Sequence, residues 1–147
     1  MFTREELITK APSFVDLPKS LIEVIFFDQD DFLSPASEQS IMICRGVKTN
    51  FDNAIHFWAV AMQSEQWEGR EEYFLPYLGR AVCRVIDEKE FLTILNHCQS
   101  LKHPFVIAPK GKYIWGQEMA DDDEWSDFSA LAEFEHEYLS FHWQMTA

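Results

Sequence analysis

Basic residues are missing from the last part of the chain, where no Lys or Arg follows Lys112, and glycine, proline and cysteine are scarce throughout. Five Gly and six Pro in 147 residues, with no internal repeat, exclude low-complexity and repeat architectures. The three cysteines, Cys44, Cys83 and Cys98, form no CxxC pair, and an odd number cannot all pair internally. We therefore expect one globular domain over residues 1–147, in a reducing compartment.

Segments that direct a chain to or across a membrane are also lacking. The first ten residues, MFTREELITK, carry two acids where a secretion signal needs a basic start and an apolar run. No later stretch reaches the roughly 18 uninterrupted apolar residues of a spanning helix. The sequence therefore predicts a cytoplasmic protein without membrane contact.

Motifs of catalysis and cofactor binding are absent from the sequence. The chain contains no GxSxG, GxGxxG, GxxxxGKS/T, HExxH or HxE…PCxxC pattern. The acidic run Asp28–Asp31 lacks the Gly and the Glu of an EF-hand loop, so we interpret it as a turn. An ExxH step at Glu133–His136 has no second copy, which a di-iron bundle requires. We expect no catalytic residue, no metal and no cofactor, and the protein is predicted not to be an enzyme.

Apolar area and negative charge are what the sequence does contain. Hydrophobic residues make up 47% of the chain and aromatic residues 15%, which is enough to build a sizeable core. The 25 acids against 12 Lys and Arg give a net charge of -13. Such a field repels nucleic-acid phosphates and anionic lipids, and it attracts a basic protein partner. Direct binding to nucleic acid or to a membrane is therefore disfavoured.

Apolar runs and capping patterns predict the elements of an α+β fold. Strands are predicted over Leu21–Phe27, where a helix is the alternative, and over Ile41–Arg45, and a hairpin is predicted over residues 105–115. Helices are predicted over residues 4–10, 54–63, 71–86 and 91–99, and a long acidic helix over Glu124–Met145. The expected fold has about four helices packed on a small antiparallel sheet, with the long acidic C-terminal helix among them.

Charge is unevenly distributed and concentrates at the C-terminal end. Residues 1–60 carry a net charge of -4, residues 61–112 carry 0, and residues 113–147 carry -9. On a helix, Phe134 and Phe141 would lie at the margin of the apolar arc, beside acids. Glu135 would lie inside that arc, so either it is paired or the helix is bent or shorter.

Acids beside marginal aromatic rings form a surface that a basic partner can meet by charge pairing and cation–π contacts. The predicted partner-binding residues are Asp121, Asp122, Asp123, Glu124, Asp127, Glu133, Phe134, Glu137 and Phe141. The alternative is an acidic helix start that is merely solvated.

The predicted function is that of a small acidic binding protein that neutralises or escorts a basic partner. Inhibitors and immunity proteins act in this way, and a toxin such as a nuclease is one such partner. Two other classes stay open. A secretion chaperone or adaptor would bind apolar segments of a client, whereas a hydrolytic or metal enzyme would bring Glu135, a histidine and another carboxylate together in a pocket.

Overall fold

A computed structural model describes residues 5–6, 9, 21–34, 38–62, 81–121 and 127–146. This part of the chain contains one six-stranded sheet and two α-helices. The strands are β1 (Ile22–Phe27), β2 (Glu38–Val47), β3 (Ala81–Ile86), β4 (Tyr113–Asp121), β5 (Asp127–Phe134) and β6 (Glu137–Thr146). The helices are α1 (Ala54–Met62) and α2 (Glu88–Leu95), and a 3-10 turn over Asn96–Ser100 extends α2.

The strand order in the sheet is β1-β2-β6-β5-β4-β3, and every neighbouring pair is antiparallel. The C-terminal strand β6 therefore lies at the centre, between β2 and β5. No helix among the described residues is long and apolar enough to cross a lipid bilayer.

Each helix covers one face of the sheet, so the core consists of two layers. On the α1 face, the buried sheet residues are Met42, Cys44, Met119, Leu131 and Tyr138. On the α2 face, they include Ile41, Ile43, Ala130, Ala132, Phe134, Leu139 and Phe141. These two sets alternate along β2, β5 and β6, as the period of two in a strand requires. The central strands are therefore buried on both sides.

The predicted long C-terminal helix is wrong, and with it the fold class of about four helices on a small sheet. Residues 127–146 form the hairpin of β5 and β6, and Glu135 and His136 lie in the turn between them. Within β6, apolar and polar residues alternate over residues 139–146, which is the period of a strand, and the helical prediction overlooked this pattern. In β5, residues 130–132 are apolar in succession because both faces of the strand are buried there. Glu135, which did not fit the helix, is half exposed in the turn.

Other elements agree with the sequence in part. β1, β2, α1 and α2 lie where strands and helices were predicted, and Asp87 caps α2 through a 2.8 Å bond from the Glu90 N–H. The predicted helix over residues 71–86 is wrong at its end, where Ala81–Ile86 is β3, and its remainder lies outside the described residues. The predicted hairpin is wrong in its first half, since residues 105–108 are not a strand, whereas residues 113–115 do begin β4 as a strand. Of the predicted helix over residues 4–10, only residues 5, 6 and 9 are described, and they are helical.

Candidate functional site

Glu137, a predicted partner-binding acid, is buried and bound within the protein. It begins β6 and accepts hydrogen bonds from Arg45 Nε at 2.9 Å and Arg45 Nη2 at 2.7 Å, which makes the pair bidentate. The backbone N–H of Lys110 donates a third bond, at 2.7 Å, and Arg45 Nη2 also donates to the carbonyl of Ala108 at 3.1 Å. The hydrogen bonds to Glu137 raise the pKa of the Arg45 guanidinium. Glu137 therefore joins β2, β6 and the loop before β4.

Glu133, a second predicted acid, is also compensated by residues from elsewhere in the chain. Its Oε2 lies 2.6 Å from Lys48 Nζ, and its Oε1 accepts a 3.0 Å hydrogen bond from Trp115 Nε1. The side chains of Glu133 and Lys48 are 17% and 29% exposed. Both oxygens of this carboxylate are therefore already bound within the protein, by Lys48 and Trp115.

The two aromatic residues of the predicted surface belong to the core. Phe134 is 2% exposed, and its ring centroid lies 5.5 Å from that of Tyr113 and 6.0 Å from that of Phe91. Phe141 is fully buried on the α2 face of the central strand. Both rings point into the core on the α2 face of the sheet. They are therefore not accessible to a partner.

The remaining predicted acids are placed only in part. Asp121 ends β4 and Asp127 begins β5, so the two lie on neighbouring strands. Asp122, Asp123 and Glu124 lie outside the described residues. The structure thus brings none of the described predicted side chains together as an open acidic and aromatic face.

A cavity of about 220 Å³ opens beside Arg45, between the start of β1 and the end of β2. It is lined by Leu21, Ile22, Glu23, Arg45, Gly46, Val47, Lys110 and Glu137. Two positive and two negative side chains share this wall, so its charges balance. The cavity therefore has no electrostatic preference for an anion or for a cation.

The acidic turn, which we define as Asp28, Asp30 and Asp31, follows β1 directly. The side chain of Asp28 accepts a hydrogen bond from the Asp30 N–H, and the side chain of Asp31 accepts one from the Asp28 N–H, both at 2.9 Å. These bonds hold a 3-10 turn and fix the three carboxylates close together. All three residues are exposed, and none forms an ion pair with any described residue. The sequence-based interpretation of this run as a turn is confirmed.

Exposed apolar side chains flank the acidic turn. Phe26, near the end of β1, is 49% exposed, and Leu33, two residues past the turn, is 64% exposed. The backbone N–H of Lys102 donates to the carbonyl of Asp31 at 2.7 Å. The segment from Phe26 to Leu33 therefore carries three exposed carboxylates between two exposed apolar side chains.

Sequence reasoning predicted a binding surface at the C-terminal end and did not consider the acidic turn as one. The signal was present, because no Lys or Arg stands between Lys19 and Arg45, a stretch that holds five acids. The prediction followed the larger negative charge after residue 112 instead.

No metal-binding cluster forms among the described residues. No three His, Cys, Asp or Glu side chains among them converge on a position that could hold a metal ion. The Glu135 carboxylate lies beside the neighbouring His136, with Oε1 2.8 Å from Nε2, and both side chains are more than half exposed. The Glu135 N–H donates to the carbonyl of Lys112 at 2.8 Å.

Comparison with known proteins yields no relative: no family model, no curated protein and no solved structure matches this chain.

Proposed function

We propose that this protein binds a basic protein partner and neutralises or escorts it, as inhibitors and immunity proteins do. The observation that carries the proposal is the acidic turn, where three exposed carboxylates without ion pairs to described residues lie between the exposed Phe26 and Leu33. Charge of this kind steers a cationic surface toward the protein, and the adjacent apolar side chains give that surface area to bury.

The net charge of -13 supports the same conclusion. Three bases, Arg45, Lys48 and Arg84, are already engaged by carboxylates of the same chain. The surplus of acids is therefore not balanced by the bases that the fold brings near them. The contact surface proposed here replaces the C-terminal one, because Glu133 and Glu137 are compensated internally.

Capture from an extract of the source cells tests the proposal, with the full chain as bait. We expect a basic protein to be retained at low salt and released as ionic strength rises, because charge pairs at an exposed surface are screened. The retained protein is then purified and its dissociation constant measured directly at two salt concentrations.

Two matched variants locate the surface. Asp30→Lys reverses a charge in the acidic turn, whereas Glu88→Lys reverses an exposed charge at the start of α2. Both variants change the net charge by the same amount, so a purely global effect weakens binding equally. We expect Asp30→Lys to weaken binding roughly tenfold more than Glu88→Lys. Retention of no basic protein at low salt, or equal effects of the two variants, would contradict the proposal.

A further inference from the structure

The outer edge of β1 is open in the described part of the chain. Among the described strands, β1 is first in the sheet order and pairs with β2 alone, through an unbroken register over all six of its residues. In an antiparallel strand, every second residue directs its N–H and C=O away from its neighbour. β1 therefore presents about three donors and three acceptors in a row along this edge.

Among the features with which natural sheets prevent strand addition, the described part of this edge has one exposed charge, Glu23. Lysine, proline and bulges are the common protective devices. The sequence of β1, IEVIFF, contains neither Lys nor Pro, and its pairing with β2 contains no bulge. The opposite edge strand, β3, carries Arg84, which is 60% exposed and bound to Glu90 at 2.7 Å and to Glu118 at 2.6 Å. Each edge strand thus carries one exposed charge, which is negative on β1 and positive on β3.

Charge decides which kind of strand the edge accepts. A second copy of this chain also carries a charge of -13 and is repelled. The only charged residue of β1 is the exposed Glu23, and the acidic turn follows directly after Phe27. A strand that runs beside β1 and past its end meets Glu23, Asp28, Asp30 and Asp31, so its own side chains must be rich in Lys or Arg.

We propose that an extended, Lys- or Arg-rich segment of the partner adds to the sheet as a strand beside β1. This inference rests on the proposed function and specifies its binding mode. Main-chain hydrogen bonds along β1 supply affinity, Phe26 offers an apolar contact to the side chain opposite it, and the acidic turn selects for positive charge.

Synthetic peptides separate strand addition from charge attraction. The probe is a blocked heptapeptide, Lys-Val-Lys-Val-Lys-Val-Lys, and its control is the same peptide with every backbone N–H methylated. Both carry the same charge, but only the first can donate main-chain hydrogen bonds. A third peptide with Glu in place of Lys tests the charge requirement. Affinities are measured with the full chain at low ionic strength, and amide hydrogen exchange is followed by mass spectrometry.

We expect the Lys-Val peptide to bind at least roughly tenfold more tightly than its methylated control, and the Glu-Val peptide not to bind. Binding should protect about three further amides of β1, those that face outward, while the amides of β3 remain unchanged.

Equal binding of the two basic peptides without protection of β1 would overturn strand addition and leave the charge-driven function standing. Absence of binding by either basic peptide would also overturn strand addition, while capture of a basic protein tests the function separately. Binding of the Glu-Val peptide with protection of β1 would overturn the requirement for a basic partner.

Discussion

Replacing Glu137 by glutamine should destabilise the protein more than the same change at any other acid described here. Its side chain is 3% exposed, and that of Arg45 is 17% exposed. Glutamine has nearly the same shape but carries no charge, and its amide group would direct a donor at the donors of Arg45 or Lys110. Removing one partner of a buried pair costs about 3–5 kcal/mol. Because water reaches part of Arg45, we expect the lower end, about 3 kcal/mol.

The other ion pairs provide a graded comparison. Glu133→Gln removes a charge from a half-buried pair with Lys48, and about 1–2 kcal/mol is expected. Glu118→Gln affects Arg84, which is 60% exposed, so the effect should stay below about 1 kcal/mol. The order of destabilisation is thus predicted to be Glu137, then Glu133, then Glu118.

Urea unfolding at neutral pH measures the free energy of unfolding of each variant. The comparison requires that this free energy falls with urea concentration at the same slope in all variants. The double variant Arg45→Met/Glu137→Met is a further control, since an apolar pair of similar volume should cost less than the unpaired Arg45. Equal effects of the three glutamine variants, or a cost below about 1 kcal/mol at Glu137, would refute the argument that burial of the pair determines its contribution.

Two further predictions concern packing and pH. In Gly46→Ala, the new Cβ would lie 2.5 Å from a ring carbon of Phe51 and 3.0 Å from one of Phe57, and both rings are buried. Urea unfolding should therefore show a free energy of unfolding lower by about 1–3 kcal/mol, and an unchanged midpoint would contradict this. Burial lowers the pKa of His97, whose ring lies 5.7 Å from that of Trp143, below its ordinary value of 6.5. The unfolded state therefore binds the proton of His97 more tightly than the folded state does. Above pH 6.5 His97 is neutral in both states and costs no stability, whereas the free energy of unfolding decreases as the pH falls from 6.5 toward the pKa of the folded state. His97→Gln should therefore lose less stability than the natural protein between about pH 7 and about pH 5 in the same assay, and an identical loss would contradict this.

Local signals predicted the elements whose sequence and surroundings agree. α1 is apolar on every side because it lies in the core, and its start is marked by Asn53, whose side chain accepts a 2.9 Å bond from the His56 N–H. Asp87 marks the start of α2 in the same way. β1 was identified from a short run of β-branched and aromatic residues that ends in polar ones. Each of these features is determined within a few residues.

β5 and β6 were assigned incorrectly for two different reasons. In β6 a local signal was present, since apolar and polar residues alternate over residues 139–146, but the helical prediction did not use it. In β5, Leu131 faces α1 while Ala130 and Ala132 face α2, so both sides are apolar, and only the two covering helices explain that pattern. A helix that places Glu135 in an apolar arc was a second local contradiction, and a turn at Glu135 and His136 resolves it.

The same limit applies to the charged residues. Glu137 and Arg45 are separated by 92 positions, so the sequence reveals each charge but not that the two meet. A segment that carries -9 therefore looked like an open acidic surface, although two of its carboxylates are structural.

Compensation inside the fold is also the criterion that separates structural acids from those available to a partner. Glu133 and Glu137 each contact a base from another strand or turn, and their removal should change stability. Asp30 has no ion pair with the described residues, and its exposed side chain contributes repulsion to the folded state rather than attraction. A net charge of -13 lowers the stability of a compact chain. The carboxylates of Asp28 and Asp31 hold the 3-10 turn, whereas no bond to a described residue gives the Asp30 carboxylate such a role. Under the proposed function, a cationic partner would offset the repulsion among these three acids.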